Sequence, residues 1–222
     1  MHSKEETIAI LKRFDTGNKF SSIPVLPKAS VLIPLFVKNG QLHTMLTLRS
    51  KELRTSAGEV CFPGGKRDPS DRDDVDTALR EAEEEIGLPP ETVQVVCRLL
   101  PIINKSGVCV TPVVGFIQES FCPRPNPAEV SAVFTVPLDF FTSKKDHSAA
   151  YGAAEVRGLL HSFYFVDPDS GNEYHIWGLT AVLAIVVAAL SLRKKPEFKV
   201  EFDTEDPFPF FEHILHSRIS KL

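Results

Sequence analysis

The stretch from Glu59 to Pro90 does most to limit what this chain can become. It reads as a short apolar strand, Glu59 to Phe62, followed by Pro63-Gly64-Gly65, a polar loop from Lys66 to Arg72, and a helix from about Asp73 to Ile86. Gly87 stands where a helix closes on a left-handed residue, and Pro89-Pro90 prevent its continuation. A strand must therefore hand over to a helix through a glycine turn. On a wheel of 100° per residue, Val75, Leu79, Ala82 and Ile86 form one stripe, the face to be packed on a sheet. Glu81, Glu84 and Glu85 share a different stripe, at spacings i, i+3 and i+4, while Glu83 points away from both and reads as solvated.

The flanking pattern supplies the sheet. Ser30 to Val37 and His43 to Leu48 are β-rich runs, and the Asn39-Gly40 between them is a strong hairpin signal. Val93 to Leu100, Val108 to Gln118 and Val130 to Pro137 read as further strands, with a shorter one at Phe163 to Val166. Glu5 to Phe14 has helical spacing, and a second helix lies near Trp177 to Leu192. Pro123-Pro125-Pro127 and Pro207-Pro209 read as stiff loops. The implied class is α/β (α+β), a sandwich in which helices cover a mixed β-sheet.

Composition removes several alternatives. With 43% apolar and 24% charged residues the chain can build a core, and a net charge of −4 gives no general attraction to nucleic acid or anionic lipid. The cysteines, Cys61, Cys97, Cys109 and Cys122, show no paired spacing, and three of them fall in strand-like runs, as buried reduced thiols do. The histidines form no His-Glu-x-x-His motif, so a zinc protease is disfavoured. The start, Met1-His2-Ser3-Lys4, lacks the pattern of a signal peptide. The apolar run Ile176 to Leu190 is shorter than the ~20 residues of a bilayer span and reads as a buried helix.

The acidic stripe is where chemistry enters. Like charges at i, i+3 and i+4 cost a helix about 0.2–0.5 kcal/mol per pair, and carboxylates near its C-terminus oppose its dipole. A divalent cation would reverse both effects, and hard oxygen ligands suit Mg²⁺ or Mn²⁺. A glutamate-rich helix is more often a plain solvated face. What separates the two readings is its N-terminal context: Gly64-Gly65 allow a close turn whose amides can receive phosphate oxygens, and Arg80 can order the carboxylates by ion pairing.

These residues resemble a family. Gly65-x5-Asp71-x8-Arg80-Glu81-Ala82-x-Glu84-Glu85-x-Gly87-Leu88 is similar to the Nudix box, GX5EX7REUXEEXGU with U apolar. Asp71 replaces the first Glu, and the loop carries one extra residue before Arg80. Just upstream, Met45-Leu46-Thr47-x-Arg49-Ser50-x3-Arg54-x3-Gly58-x3-Phe62-Pro63-Gly64-Gly65 resembles the LLTXRSX3RX3GX3FPGG signature of the coenzyme A diphosphatases, with Met45 the one difference. Ser220-Lys221-Leu222 matches the peroxisomal address.

The resemblance implies a Nudix-type α/β/α sandwich, with an N-terminal helix and connection over 1–28, the Nudix core over 29–170, a C-terminal helix and tail over 171–219, and the targeting tripeptide at 220–222. It implies Mg²⁺- or Mn²⁺-dependent cleavage of coenzyme A or its esters to 3′,5′-ADP and a 4′-phosphopantetheine product. Glu81 and Glu85 are the first-choice metal ligands, and Glu84 adds a ligand directly or through water. A carboxylate of this cluster, or Glu129 from a later loop, is the candidate general base. Arg49 and Arg54 are candidates for substrate phosphates, against a structural reading in which they pair with carboxylates beside the helix. Gly64, Gly65 and Lys66 complete the substrate-side set, although Lys66 and Arg67 fit a solvated loop slightly better. Trp177 reads as core. The implied partners are the small-molecule substrate and a peroxisomal import receptor. The competing functions are a Nudix hydrolase of NADH or ADP-ribose, and a module that binds coenzyme A without cutting it.

Overall fold

The structure is a computed structural model that describes residues 3–21, 23, 26–151 and 158–220. Lys221 and Leu222 of the expected targeting tripeptide lie outside the described residues. The chain opens with α1 (Lys4–Lys12), whose Ser3 and Glu6 form a reciprocal cap. Strands β1 (Lys28–Lys38) and β2 (Gln41–Arg49) then form a hairpin. Asn39 and Gly40 have φ of 51° and 73°, the pair of positive values that a tight two-residue turn demands. Next come β3 (Val60–Cys61), β4 (Gly64–Lys66) and α2 (Asp74–Ile86). The chain continues through β5 (Gln94–Arg98), β6 (Ile102–Ile103), β7 (Cys109–Phe116) and β8 (Val130–Pro137). It ends with β9 (His147–Tyr151), β10 (Leu159–Val166), β11 (Glu173–Trp177), α3 (Gly178–Leu192) and α4 (Phe208–Ile219).

The main sheet is mixed. β1 runs parallel to β7 along eight residues, from Lys28 opposite Cys109 to Leu35 opposite Phe116, and its other pairings are antiparallel. The β1–β2 hairpin stays paired only from Leu35 opposite Thr44 to the turn. Beyond that point the strands diverge, and the chain from β3 to β4 fills the wedge. β3 pairs with Thr47 and Leu48 of β2, and β4 pairs with Ala29, Ser30 and Val31 of β1. The glycine pair is thereby inserted as a strand beside β1, and β8 closes the far side of β2.

Alternation along the strands separates two apolar faces. Leu32, Phe36, Met45 and Val113 face α2, where they meet Ala78, Ala82 and Ile86. Ile33, Leu35, Leu46 and Val114 face the other way, toward α3 and the three-stranded sheet β11-β10-β9. This is the mixed-sheet sandwich that the pattern implies. The apolar helix α3 has 15 residues, roughly 22 Å at 1.5 Å per residue, and is buried on nearly all sides. Among the described residues, no helix is long and apolar enough to cross a membrane.

Two readings are corrected. Pro207-Pro209 do not form a loop: Pro207 precedes α4 and Pro209 occupies its first turn, where no intrahelical N–H is required. The strand read at Phe163 to Val166 begins at Leu159 and is the middle of the second sheet, paired on both sides. Cys61, Cys97 and Cys109 do lie in β3, β5 and β7, and all four cysteines are free.

Candidate active site

Helix α2 is fixed at both ends. The Asp73 side chain accepts from the backbone N–H groups of Val75 and Asp76, and Gly87 closes the helix at φ 69°. Its apolar stripe on β1 turns the acidic stripe toward β4. Position along that stripe decides each carboxylate's surroundings. Glu85 is buried, 1% exposed, and its Oε2 accepts the Gly64 N–H at 3.0 Å. Its other oxygen stands 3.6 Å from Arg49 Nη1. Glu81, one turn earlier, is half-buried against Gly65, where a Cβ would come 2.4 Å from its Oε2. Both glycines stand at close approaches, Gly65 against the movable end of a side chain and Gly64 against backbone. A Cβ on Gly64 would meet Ser30 O at 2.3 Å.

Arg80 organises the outer part of this surface. Its Nε and Nη2 donate to the two oxygens of Asp71 at 2.8 and 3.0 Å, and its Nη1 donates to Glu81 and Glu84, each at 3.1 Å. Nη2 also donates to Lys66 O. The Arg80 guanidinium, with help from the Asp68 N–H and the Thr77 hydroxyl, holds the Asp71 carboxyl well below the usual range. Asp71 therefore supplies a carboxylate in place of the longer Glu, and the extra loop residue leaves that pairing intact.

Glu85 and Glu81 are pushed the other way. Burial is the main cause for each, and it raises Glu85 to about 7 against the opposing influence of the Gly64 N–H and Arg49. Glu129 adds like charge to both, which places it in the same electrostatic neighbourhood. Its loop is tied there by backbone bonds: Arg124 N–H to Ile86 O, Asn126 N–H to Glu85 O, and Ser50 N–H to Glu129 O. Asn126 Nδ2 also contacts Glu129 Oε1 at 3.3 Å. Nothing local in the Pro-rich sequence of this loop marks Asn126.

The arginine segment frames the opening. Gly58 N–H donates to Arg49 O and Arg49 N–H to Glu59 O, closing residues 50–57 into a loop that carries Arg54 exposed. Among the described residues no ion pair engages Arg54, whereas Arg49 is paired with a carboxylate of the helix. Lys66 is exposed beside Gly65, and Glu84 is exposed and committed to Arg80. Trp177 lies at the end of β11, partly exposed, with Lys105 Nζ 5.4 Å from its ring centre. The site thus unites Glu81, Glu85, Glu129, Arg49, Gly64 and Gly65, and leaves Glu84, Lys66 and Arg54 at its margin.

The family model of the NUDIX domain matches residues 26–153. The chain belongs to the Nudix hydrolase family. It is 42% identical to the peroxisomal coenzyme A diphosphatase NUDT7 of Mus musculus over 97% of this chain and 92% of that protein. Nudix hydrolase 15, mitochondrial, of Arabidopsis thaliana is 43% identical over 77% of this chain and 61% of its own length. Among solved structures, a MutT/nudix family protein from Enterococcus faecalis matches 89% of this chain and 78% of its own, at 14% identity and a TM-score of 0.46.

Nudix hydrolases generally use a divalent metal. Among the described residues no three metal-binding side chains already stand together as a ready cation cage. The donor set nevertheless fits a hard cation. Glu85 and Glu81 are oxygen donors on one helix face, both desolvated, and mutually repelling with Glu129 as a third negative charge. A bound cation would relieve that repulsion.

Proposed function

We propose that this Nudix hydrolase cleaves the diphosphate of coenzyme A or its derivatives, releasing 3′,5′-ADP and a 4′-phosphopantetheine product. The observation that carries the reading is the placement of Arg49, from the upstream signature, directly against Glu85 of the acidic helix. This proximity supports reading the two motifs as one site. The 42% identity to the mouse coenzyme A diphosphatase over nearly the whole chain supports the same substrate.

Glu81 and Glu85 would hold Mg²⁺ or Mn²⁺, with Glu84 contributing directly or through water. When bound, the cation supplies neutralisation of diphosphate charge and acidification of water. The remaining roles belong to the chain itself. Arg49 and Arg54 offer guanidinium groups to phosphate oxygens, and the exposed Arg54 is free to reach the outer phosphate. Gly64 and Gly65 let the strand approach the helix closely, and Lys66 adds positive charge at the rim. Glu129, held by its loop 124–129 near the cluster, is positioned to take a proton from the attacking water. We place the protein in the peroxisome, following the mouse relative, with Ser220-Lys221-Leu222 as the address for an import receptor; removing the tripeptide and imaging a fluorescent fusion tests this.

The decisive assay is incubation with coenzyme A and Mg²⁺ followed by product separation. Release of 3′,5′-ADP is expected, at a rate exceeding that on NADH or ADP-ribose. No 3′,5′-ADP, or faster cleavage of either rival substrate, would overturn the assignment.

A further inference from the structure

The two arginines of the site are held very differently. Arg80 makes a close two-pronged contact with Asp71, at 2.8 and 3.0 Å, and uses its third nitrogen on Glu81 and Glu84. Arg49 reaches Glu85 only at 3.6 Å, beyond hydrogen-bond range, and its Nε is buried with no partner. A guanidinium that existed to lock a carboxylate would use its fork, as Arg80 does. A buried N–H without a partner is costly, so its persistence calls for a ligand.

Glu85 shows the complementary arrangement. One oxygen accepts the Gly64 N–H, and the other stands opposite Arg49 Nη1. That second oxygen is the one available to a cation. A divalent ion and a guanidinium on the same side of one carboxylate carry more positive charge than it can offset, so in a buried site they repel unless a further anion lies between them. The diphosphate is such an anion.

We infer that Arg49 is a placeholder cation on Glu85, displaced by the metal and then taken up by a substrate phosphate. It partly offsets the charge of the buried carboxylate in the metal-free enzyme and competes with metal until the diphosphate arrives. Metal and diphosphate therefore favour each other's binding through one side chain. This rests on Glu85 being a metal ligand, as proposed above.

The test measures Mn²⁺ binding to the enzyme without substrate, by the loss of the free-ion paramagnetic signal. Arg49→Met removes the competitor, so Mn²⁺ should bind at least about tenfold more tightly than in the wild type. Arg49→Lys keeps the charge and should stay close to the wild type. With coenzyme A, Arg49→Met should show a raised KM, because the phosphate loses its partner. A role confined to structure would lower the melting temperature without raising metal affinity. Should Arg49→Met fail to fold, Arg49→Gln carries the same expectation. Equal or weaker Mn²⁺ binding in the variant that lacks the charge would overturn the inference. Glu85→Gln separates the two levels. If it leaves Mn²⁺ binding unchanged, the ligand assignment fails and the placeholder falls with it. If it abolishes binding while Arg49→Met binds no tighter, the placeholder alone fails.

Discussion

Replacing Gly65 by alanine sets a Cβ 2.4 Å from Glu81 Oε2 and 2.5 Å from its Cδ, both at the far end of a flexible side chain. Ordinary contact between heavy atoms begins near 3.5 Å, so the carboxylate must retreat by about 1 Å. The backbone need not move. A compatible Gly→Ala change gains about 0.4–1 kcal/mol by restricting the unfolded chain, which offsets a weakened contact to Arg80. Net stability should therefore change by less than about 1 kcal/mol. Activity should not escape, because a shift of about 1 Å in an essential group can remove about 10²-fold in rate. The neighbouring Gly64→Ala provides the contrast. Its Cβ meets Ser30 O at 2.3 Å and Val31 Cα at 2.6 Å, rigid atoms of β1 in the ladder with β4. That overlap should cost about 3 kcal/mol, at the upper end for an overpacked interior. Urea unfolding and turnover of coenzyme A with Mg²⁺ measure both quantities. Gly65→Ala should keep less than about a tenth of wild-type turnover and lose less stability than Gly64→Ala; the opposite result in either would overturn this role of the glycine pair.

Glu81→Gln should preserve the fold and abolish Mg²⁺-dependent turnover; near-normal activity would remove Glu81 from the ligand set. Asp71→Asn removes the charge and one of the two acceptor oxygens that Arg80 uses in a buried position, and should destabilise by about 3 kcal/mol, read by urea unfolding; a loss below about 1 kcal/mol would show that Arg80 is held by Glu81 and Glu84 instead. Glu85 titrates near 7 in the folded metal-free protein, above its ordinary 4.5, so the folded state binds the extra proton between those values. Stability of the metal-free protein should accordingly fall as pH rises from about 5 to 7, and Glu85→Gln should flatten that slope. A slope unaffected by the substitution would assign it to another group.

Local chemistry made part of this fold legible. The Asn39-Gly40 turn and the caps of α2 at Asp73 and Gly87 follow from conformational demands that few other residues meet. Other elements depend on partners that no short window contains. β4 is Gly64-Gly65-Lys66, with no apolar alternation, and it is a strand because diverging β1 and β2 leave edges to be paired. β9 is largely exposed and is defined by its register with β10. In α4 the two prolines argue for a loop until their places before and within the first turn are seen.

The same division runs through the site. Helical periodicity groups Glu81, Glu84 and Glu85 and sets Glu83 aside, but it cannot rank the three, because a wheel holds no information about what covers each face. The inserted β4 supplies it. Gly64 approaches the side of the helix bearing Glu85 and Gly65 the turn bearing Glu81, while Glu84, 60° away from Glu81 around the axis, is left to Arg80 and solvent. Burial then separates carboxylates that look equivalent in sequence: two are desolvated despite a neighbouring arginine each, and one lies exposed at the surface beside Arg80. The order we propose for the metal ligands, Glu85 and Glu81 ahead of Glu84, rests on where two glycines pair in the sheet. Moving that strand, with every glutamate unchanged, should abolish the distinction.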